Sequence, residues 1–370
     1  MSDIGVFIDP QSHHFEHDRL FDASDSRLNR DDALAPFLYI RDMFEQRGIS
    51  VHTADYLLRG EHLCTQNIFF SLGLTDHYRL LAKRDDVILS AFFALECPIV
   101  EPSIYRELNT AQHYFNRIFT WSDSPSLERF VGGPLRCETY HWPQAYEQIH
   151  ENIWSQTDRQ FLVMINSNKL PRVYWQELYT ERLKAVDFFS RTGDIDLYGI
   201  GWEKPSSRVG KTWEPWTLRR LRYQWVEQWQ KFRPDPLLVA ARRVYKGMIP
   251  SKAETLGQYT FAICFENMII NGWITEKIFD CFFAGTVPIY WGAPNIQEMI
   301  PKDCFIDMRD FSGYAQLRDY LKALSSDAIQ EYRENARDYL RSPQFQLFSK
   351  KTFAEHFLRA VEEDAQVSLA

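Results

Sequence analysis

The chain has few cysteines, no excess of positive charge, no long apolar run and no internal repeat or low-complexity tract. Its six cysteines, at 64, 97, 137, 264, 281 and 304, form no CxxC pair, which speaks against a zinc site. Several lie inside apolar runs, the setting of buried free thiols in a reducing compartment. Lys and Arg number 42 against 50 Asp and Glu, for a net charge of −8. Nucleic acid is therefore not the expected partner. No stretch reaches the roughly 18 apolar residues of a membrane span. The opening residues, "MSDIGVFIDPQ", lack the basic start and apolar run of a secretory leader. These absences lead to the expectation of a soluble, cytoplasmic protein.

What is present points to an α/β chain. With 370 residues it is long enough for two ordinary domains. "IGVFI" (4–8) reads as a strand, Asp31 to Arg47 as a helix stopped by Gly48, and "ISVHTA" as a second strand. That βαβ unit predicts a parallel sheet. "NIFFSLGL", a helix near 77–84, "DVILSAFFAL" and "NRIFTWS" continue the alternation. A second series starts at "FLVMIN" (161–166), followed by a helix from Trp175 to Ser190 and the strand "DIDLYG" (194–199). "YTFAICF", a helix through "TEKIFDCFFAG" and the strand "VPIYWG" complete it, with helices over 313–370. The expected domains are 1–155, 156–345 and a helical tail at 346–370. Two such domains predict a ligand cleft between them, at the carboxyl ends of the strands. An aromatic content of 15% fits a large core and equally fits sugar binding.

Between the second-series strands lies an insertion, 203–246, that is basic in an acidic chain and carries four tryptophans within "RVGKTWEPWTLRRLRYQWVEQWQKFRPDPLLVAARR". One reading is a solvated helical hairpin whose tryptophans pack on the parent domain. The other is a lid or peripheral docking face for an anionic membrane surface or glycolipid acceptor.

The segment "ITEK" poses the sharpest question. Lys277 falls in the first turn of a helix, where a cation opposes the helix dipole. Helix N-termini bind anions, and a lysine there suits phosphate. Glu276 is of the type that accepts hydrogen bonds from a ribose diol. Together they read as a nucleotide-diphosphate site, with an ion pair on a solvated helix face as the alternative. Asp194-Ile195-Asp196 has a DxD spacing that could hold a metal, though it leads directly into a strand. "HHFEH" (13–17) follows the first strand as a surface loop or as lining for an acceptor site.

From about 245 to 311 the chain resembles the α-1,3/4-fucosyltransferase family, glycosyltransferase family 10. The resemblance rests on "CFEN" (264–267), Trp273 where the family usually has tyrosine, "TEK" (275–277), "AGTVPIYWGAPN" (284–295) and "PKDCFIDMRDF" (301–311). "DIDLYGIGW" (194–202) and "LECP" (95–98) are weaker matches. The resemblance implies a GT-B fold, two facing Rossmann-like domains, in a soluble, bacterial-type enzyme. It implies transfer of L-fucose from GDP-β-L-fucose to an oligosaccharide or glycolipid hydroxyl, with inversion and most simply in α-1,3 linkage, and no required metal. It further implies phosphate binding by Lys277 and by Arg182 or, alternatively, Arg172. Ribose falls to Glu276, the donor sugar to Glu266 and Asn267, and the nucleotide flank to Trp273. Glu96 is the general base it implies, with Glu101 as the nearest rival and a salt-bridged strand-end carboxylate as the structural alternative. A transferase using another GDP-sugar and a non-catalytic sugar-nucleotide-binding protein are the competing functions.

Overall fold

The computed structural model describes residues 4–10, 12–73, 76–149, 151–209, 218, 221, 224–226, 228–229, 233, 235–367 and 369. The chain divides into two compact units, Met1–Glu147 together with Phe345–Ala370, and Gln148–Gln344.

The first unit is built on β1 (Ile4–Asp9), β2 (Ser50–Thr53), β3 (Gln66–Ser71), β4 (Val87–Phe93), β5 (Arg117–Thr120) and β6 (Glu138–Thr139). They form one sheet in the order β2-β1-β3-β4-β5-β6, with parallel pairing throughout. Every residue of β1 is buried. A parallel strand covered on both faces reads as a continuous apolar run rather than an alternation, as "IGVFI" does. The helix expected from Asp31 begins instead at Ala35 (Ala35–Glu45). Asp31 and Asp32 adopt φ of 53° and 56°, a left-handed backbone that a right-handed helix excludes. Pro36 occupies the first turn, where a missing N–H costs nothing.

The last helix, Lys350–Ala365, does not stand apart as a tail but belongs to this first unit. Phe357 stacks on Phe93 of β4 with centroids 4.4 Å apart and lies 4.8 Å from Phe70 of β3. Arg117 of β5 holds the same helix through Glu363 at 2.6 Å and Asp364 at 2.9 Å.

The second unit carries β7 (Gln160–Ile165), β8 (Lys169–Leu170), β9 (Ile195–Tyr198), β10 (Ser207–Arg208), β11 (Tyr245–Gly247), β12 (Tyr259–Ile263), β13 (Val287–Tyr290) and β14 (Ile306–Asp307). Six of them form a parallel sheet in the order β11-β9-β7-β12-β13-β14, and β8 pairs with β10. From β7 the chain first builds outward through β9 and β11. It then returns to the other side of β7 and builds through β12, β13 and β14. That reversal makes the β7/β12 boundary the topological switch point, where ligands bind outside the carboxyl ends of such strands. In the first unit the same logic puts the switch point between β1 and β3.

The helix expected from Trp175 starts at Tyr179 (Tyr179–Thr192). Its would-be first turn is used elsewhere: Leu178 N donates to Asn267 O at 3.0 Å, and Ile269 N to Gln176 O at 2.7 Å. Residues 176–178 are thus laced to the loop after β12 and cannot also coil. In the insertion at 203–246, residues 210–217, 219, 220, 222, 223, 227, 230–232 and 234, with two of its four tryptophans, lie outside the described residues. Of its described tryptophans, Trp225 and Trp229 stack on one another at 5.6 Å and are exposed, rather than packed against a domain. Among the described residues no helix is long and apolar enough to cross a membrane.

Candidate functional site

The β7/β12 switch point gathers most of the residues singled out in the sequence. Beyond β12 the backbone stays tied to its neighbour, with Glu266 N donating to Trp291 O at 2.8 Å. This fixes Glu266 at the sheet edge, fully buried. Its carboxylate accepts from Thr275 N at 2.8 Å and from Thr275 Oγ1 at 2.9 and 3.0 Å. Gly292 is required alongside it, because a Cβ at that position would sit 2.6 Å from Glu266 Cγ and 2.4 Å from Tyr290 Oη.

The helix Glu276–Ala284 starts from this carboxylate. Thr275 occupies the N-cap position, but its hydroxyl makes no cap bond to the helix; it is engaged with Glu266 instead. At the far end Arg159 donates to the Ala284 carbonyl at 3.1 Å, a group that a helix end would otherwise leave unpaired. The same guanidinium reaches the carbonyls of Trp154 at 3.0 Å and Tyr259 at 3.2 Å. Burial, with Arg333 nearby, brings Arg159 down to about 10. The helix is thereby pinned at both ends, and its first turn is a fixed platform.

Lys277 is not on a solvated face. Its ammonium lies 2.8 Å from Thr275 Oγ1, 3.1 Å from Glu266 Oε2 and 3.3 Å from Glu276 Oε1. An ammonium has three N–H groups, and three acceptors surround this one. Two carboxylates at the helix start outweigh one cation, which answers how a lysine is tolerated against the dipole. Burial works against the Lys277 charge, but Glu266 and then Glu276 raise its pKa well above the ordinary lysine value. Burial also pushes Glu266 up, against the attraction of Lys277. For Glu276 burial acts upward too, yet Lys277 and Lys252 outweigh it and hold the carboxyl at about 2. Lys252 in turn pairs with Asp280 of the same helix at 2.7 Å. Lys252 had no local signal in the sequence, because it comes from a separate short helix, Lys252–Gly257, before β12.

Arg182 reaches the same strand end from the helix Tyr179–Thr192. Its Nε and Nη2 donate to Phe265 O at 3.2 and 2.6 Å, and Nη2 to Asn267 Oδ1 at 3.1 Å. It is buried, with its guanidinium 4.7 Å from the centre of the Tyr179 ring. Arg182 therefore shapes the Glu266-Asn267 corner, while Arg172 is half-buried in the loop after β8. Trp273 is a core residue, 2% exposed. Arg309 donates to Pro294 O at 3.0 Å and pairs with buried Asp307 at 2.6 Å, holding the "GAPN" loop. Sequence reasoning had singled out neither residue.

Glu96 lies in the first unit, three residues past the end of β4 and half-buried. Its Oε1 accepts from Cys97 N at 2.9 Å. Glu101 precedes the helix Pro102–Ala111 and accepts from the Ser103 hydroxyl. The DxD carboxylates are spent separately: Asp194 on Arg318 at 2.5 Å and Lys322 at 2.8 Å, Asp196 on Tyr259 Oη at 2.8 Å and Lys246 at 3.2 Å. All six cysteines are free thiols.

Two units, each with a six-stranded parallel sheet and helices, form an α/β fold of the GT-B type. A glycosyltransferase from Rickettsia africae has this fold, with a TM-score of 0.53 at 10% identity over 99% of both chains. So does a DNA-modifying β-glucosyltransferase, with a TM-score of 0.52 at 12% identity over 97% of this chain and 99% of that one. Residues 236–357 match the family described as glycosyltransferase family 10 (fucosyltransferase) C-term. Over that stretch, about a third of its length, the chain is similar to that family. An α-(1,3)-fucosyltransferase of Helicobacter pylori is 41% identical over 76 residues, 20% of this chain and 16% of that protein. An α-(1,4)-fucosyltransferase of Arabidopsis thaliana is 35% identical over 74 residues, 20% of this chain and 18% of that protein. The matched stretch thus spans under a fifth of either relative.

Proposed function

We propose that this protein transfers L-fucose from GDP-β-L-fucose to a hydroxyl of a glycan acceptor, with inversion and in α-1,3 linkage. The observation that carries the reading is the Glu266–Thr275–Glu276–Lys277 cluster at a helix start on the switch point of the second unit. A ribose diol would take the half-exposed Glu276, and the departing diphosphate would take Lys277. Arg182, buried behind them, adds a positive charge to the same corner. Relatives named as fucosyltransferases support fucose as the sugar. Inversion requires a base to take the acceptor proton as the hydroxyl attacks the anomeric carbon, and Glu96 is assigned that role. No divalent ion is assigned, because the DxD carboxylates already pair with protein cations and protein charge meets the diphosphate.

The test is transfer from GDP-fucose to an array of glycans, followed by linkage analysis of the product, in EDTA and with added Mn²⁺. Fucosylated product with α-1,3 linkage in EDTA is the expected outcome. Transfer from another GDP-sugar but not GDP-fucose would overturn the donor assignment. Loss in EDTA with recovery on Mn²⁺ would overturn the metal-free one.

A further inference from the structure

The first unit has its own switch point, between β1 and β3, and a titratable pair stands there. Asp9, the last residue of β1, is 3% exposed. Its Oδ2 lies 3.2 Å from Nδ1 of His77, whose side chain is one-third exposed. The two strand ends remain laced beyond the sheet, with Leu72 N donating to Asp9 O at 2.9 Å. Gly73, with φ of +99°, lies against the end of β4; a Cβ there would lie 3.1 Å from Phe93 O. Gly73 is thus held against the strand that leads to Glu96.

We propose that the Asp9–His77 pair binds a hydroxyl of an uncharged sugar, the acceptor, in the first unit. This rests on the glycosyltransferase reading above. Nδ1 is buried beside Asp9, which leaves Nε2 as the ring nitrogen for a ligand. A neutral imidazole accepts from a sugar hydroxyl there, and a protonated one donates to it. The surroundings select the ligand class. Asp9, Asp76 and Glu16 all act on the ring electrostatically, and Asp9 is the chief cause of its raised pKa. Three carboxylates repel a nucleotide or other anion, whereas a neutral polyol meets no such penalty. Glu16 belongs to the "HHFEH" segment, which leaves the same edge of the sheet after β1. That motif therefore contributes to the same site.

The experiment uses the whole protein with ¹³C-labelled histidine, the His77 ring signals being identified by their loss in His77→Gln. A panel of neutral glycans led by 4-galactosyl-N-acetylglucosamine is titrated in, with GDP as a separate arm. The His77 signals should move with at least one glycan and not with GDP. In turnover, His77→Gln should raise the acceptor KM about tenfold, the upper range for one hydrogen bond, and leave the KM for GDP-fucose unchanged. Asp9→Asn should shift the His77 titration downward and raise the same KM. His77 signals unmoved by every glycan would overturn the proposal. A fall in kcat with the acceptor KM unchanged would also overturn it, in favour of proton transfer. Failure of the donor reading shows separately, as wild-type protein that binds no GDP, while the glycan arm is still read.

Discussion

Replacing Glu276 by Gln tests whether ribose and phosphate recognition are coupled at the helix start. Glu276 takes one of the three N–H groups of Lys277, at 3.3 Å. A diphosphate can gain that donor only if Glu276 lets go, and a ribose diol bound to Glu276 would make it do so. At 3.3 Å the attraction is about 5 kcal/mol for an effective dielectric of 20 and about 1.3 kcal/mol in water. The Glu276 side chain is 40% exposed, which pulls the value toward the lower limit, about 1–2 kcal/mol. Removing the charge should therefore tighten pyrophosphate, which has no ribose, by about 5- to 30-fold. GDP receives the same gain but loses charged hydrogen bonds to its diol, about 1.5–3 kcal/mol. The preference for GDP over pyrophosphate should then fall by about 10- to 150-fold. Calorimetric titration of both ligands into wild type and Glu276→Gln measures the two affinities. Equal weakening of both ligands would show that Glu276 only supports the helix, and the coupling argument would be wrong.

Two further outcomes are expected. Phe357→Ala removes a fully buried ring stacked on Phe93 and should destabilise the protein by about 3–5 kcal/mol in urea unfolding; a loss below about 1 kcal/mol would mean that the final helix is not needed to cover the first sheet. Glu96→Gln should keep GDP affinity while lowering turnover by about two to four orders of magnitude; near-normal turnover, with Glu101→Gln inactive, would move the base to Glu101.

The amino-acid sequence alone determined the two α/β series and the position of the motif that ends in Lys277. Both signals are local. Parallel strands buried on both faces read as short apolar runs, and "FEN", "TEK" and "GTVPIYWG" lie on consecutive elements. Element starts were less legible. Asp31 looked like a helix start because its left-handed backbone leaves no mark in composition, and Trp175 because the bonds that hold 176–178 straight come from 267–269, about ninety residues away. The place of residues 346–370 was equally hidden, since an amphipathic helix does not say which sheet it covers. Phe93 and Phe70 decided that by offering rings to Phe357. The role of Lys277 is the clearest case of tertiary control. The sequence put a cation against a helix dipole, but only the strand register that places Glu266 beneath Thr275 supplied the charge that makes it stable. For the same reason Asp9 and His77, nearly seventy residues apart, carried no joint signal. Pairing energies fall off steeply with distance in space, and it is the β1–β3 crossover, not spacing in the chain, that sets that distance.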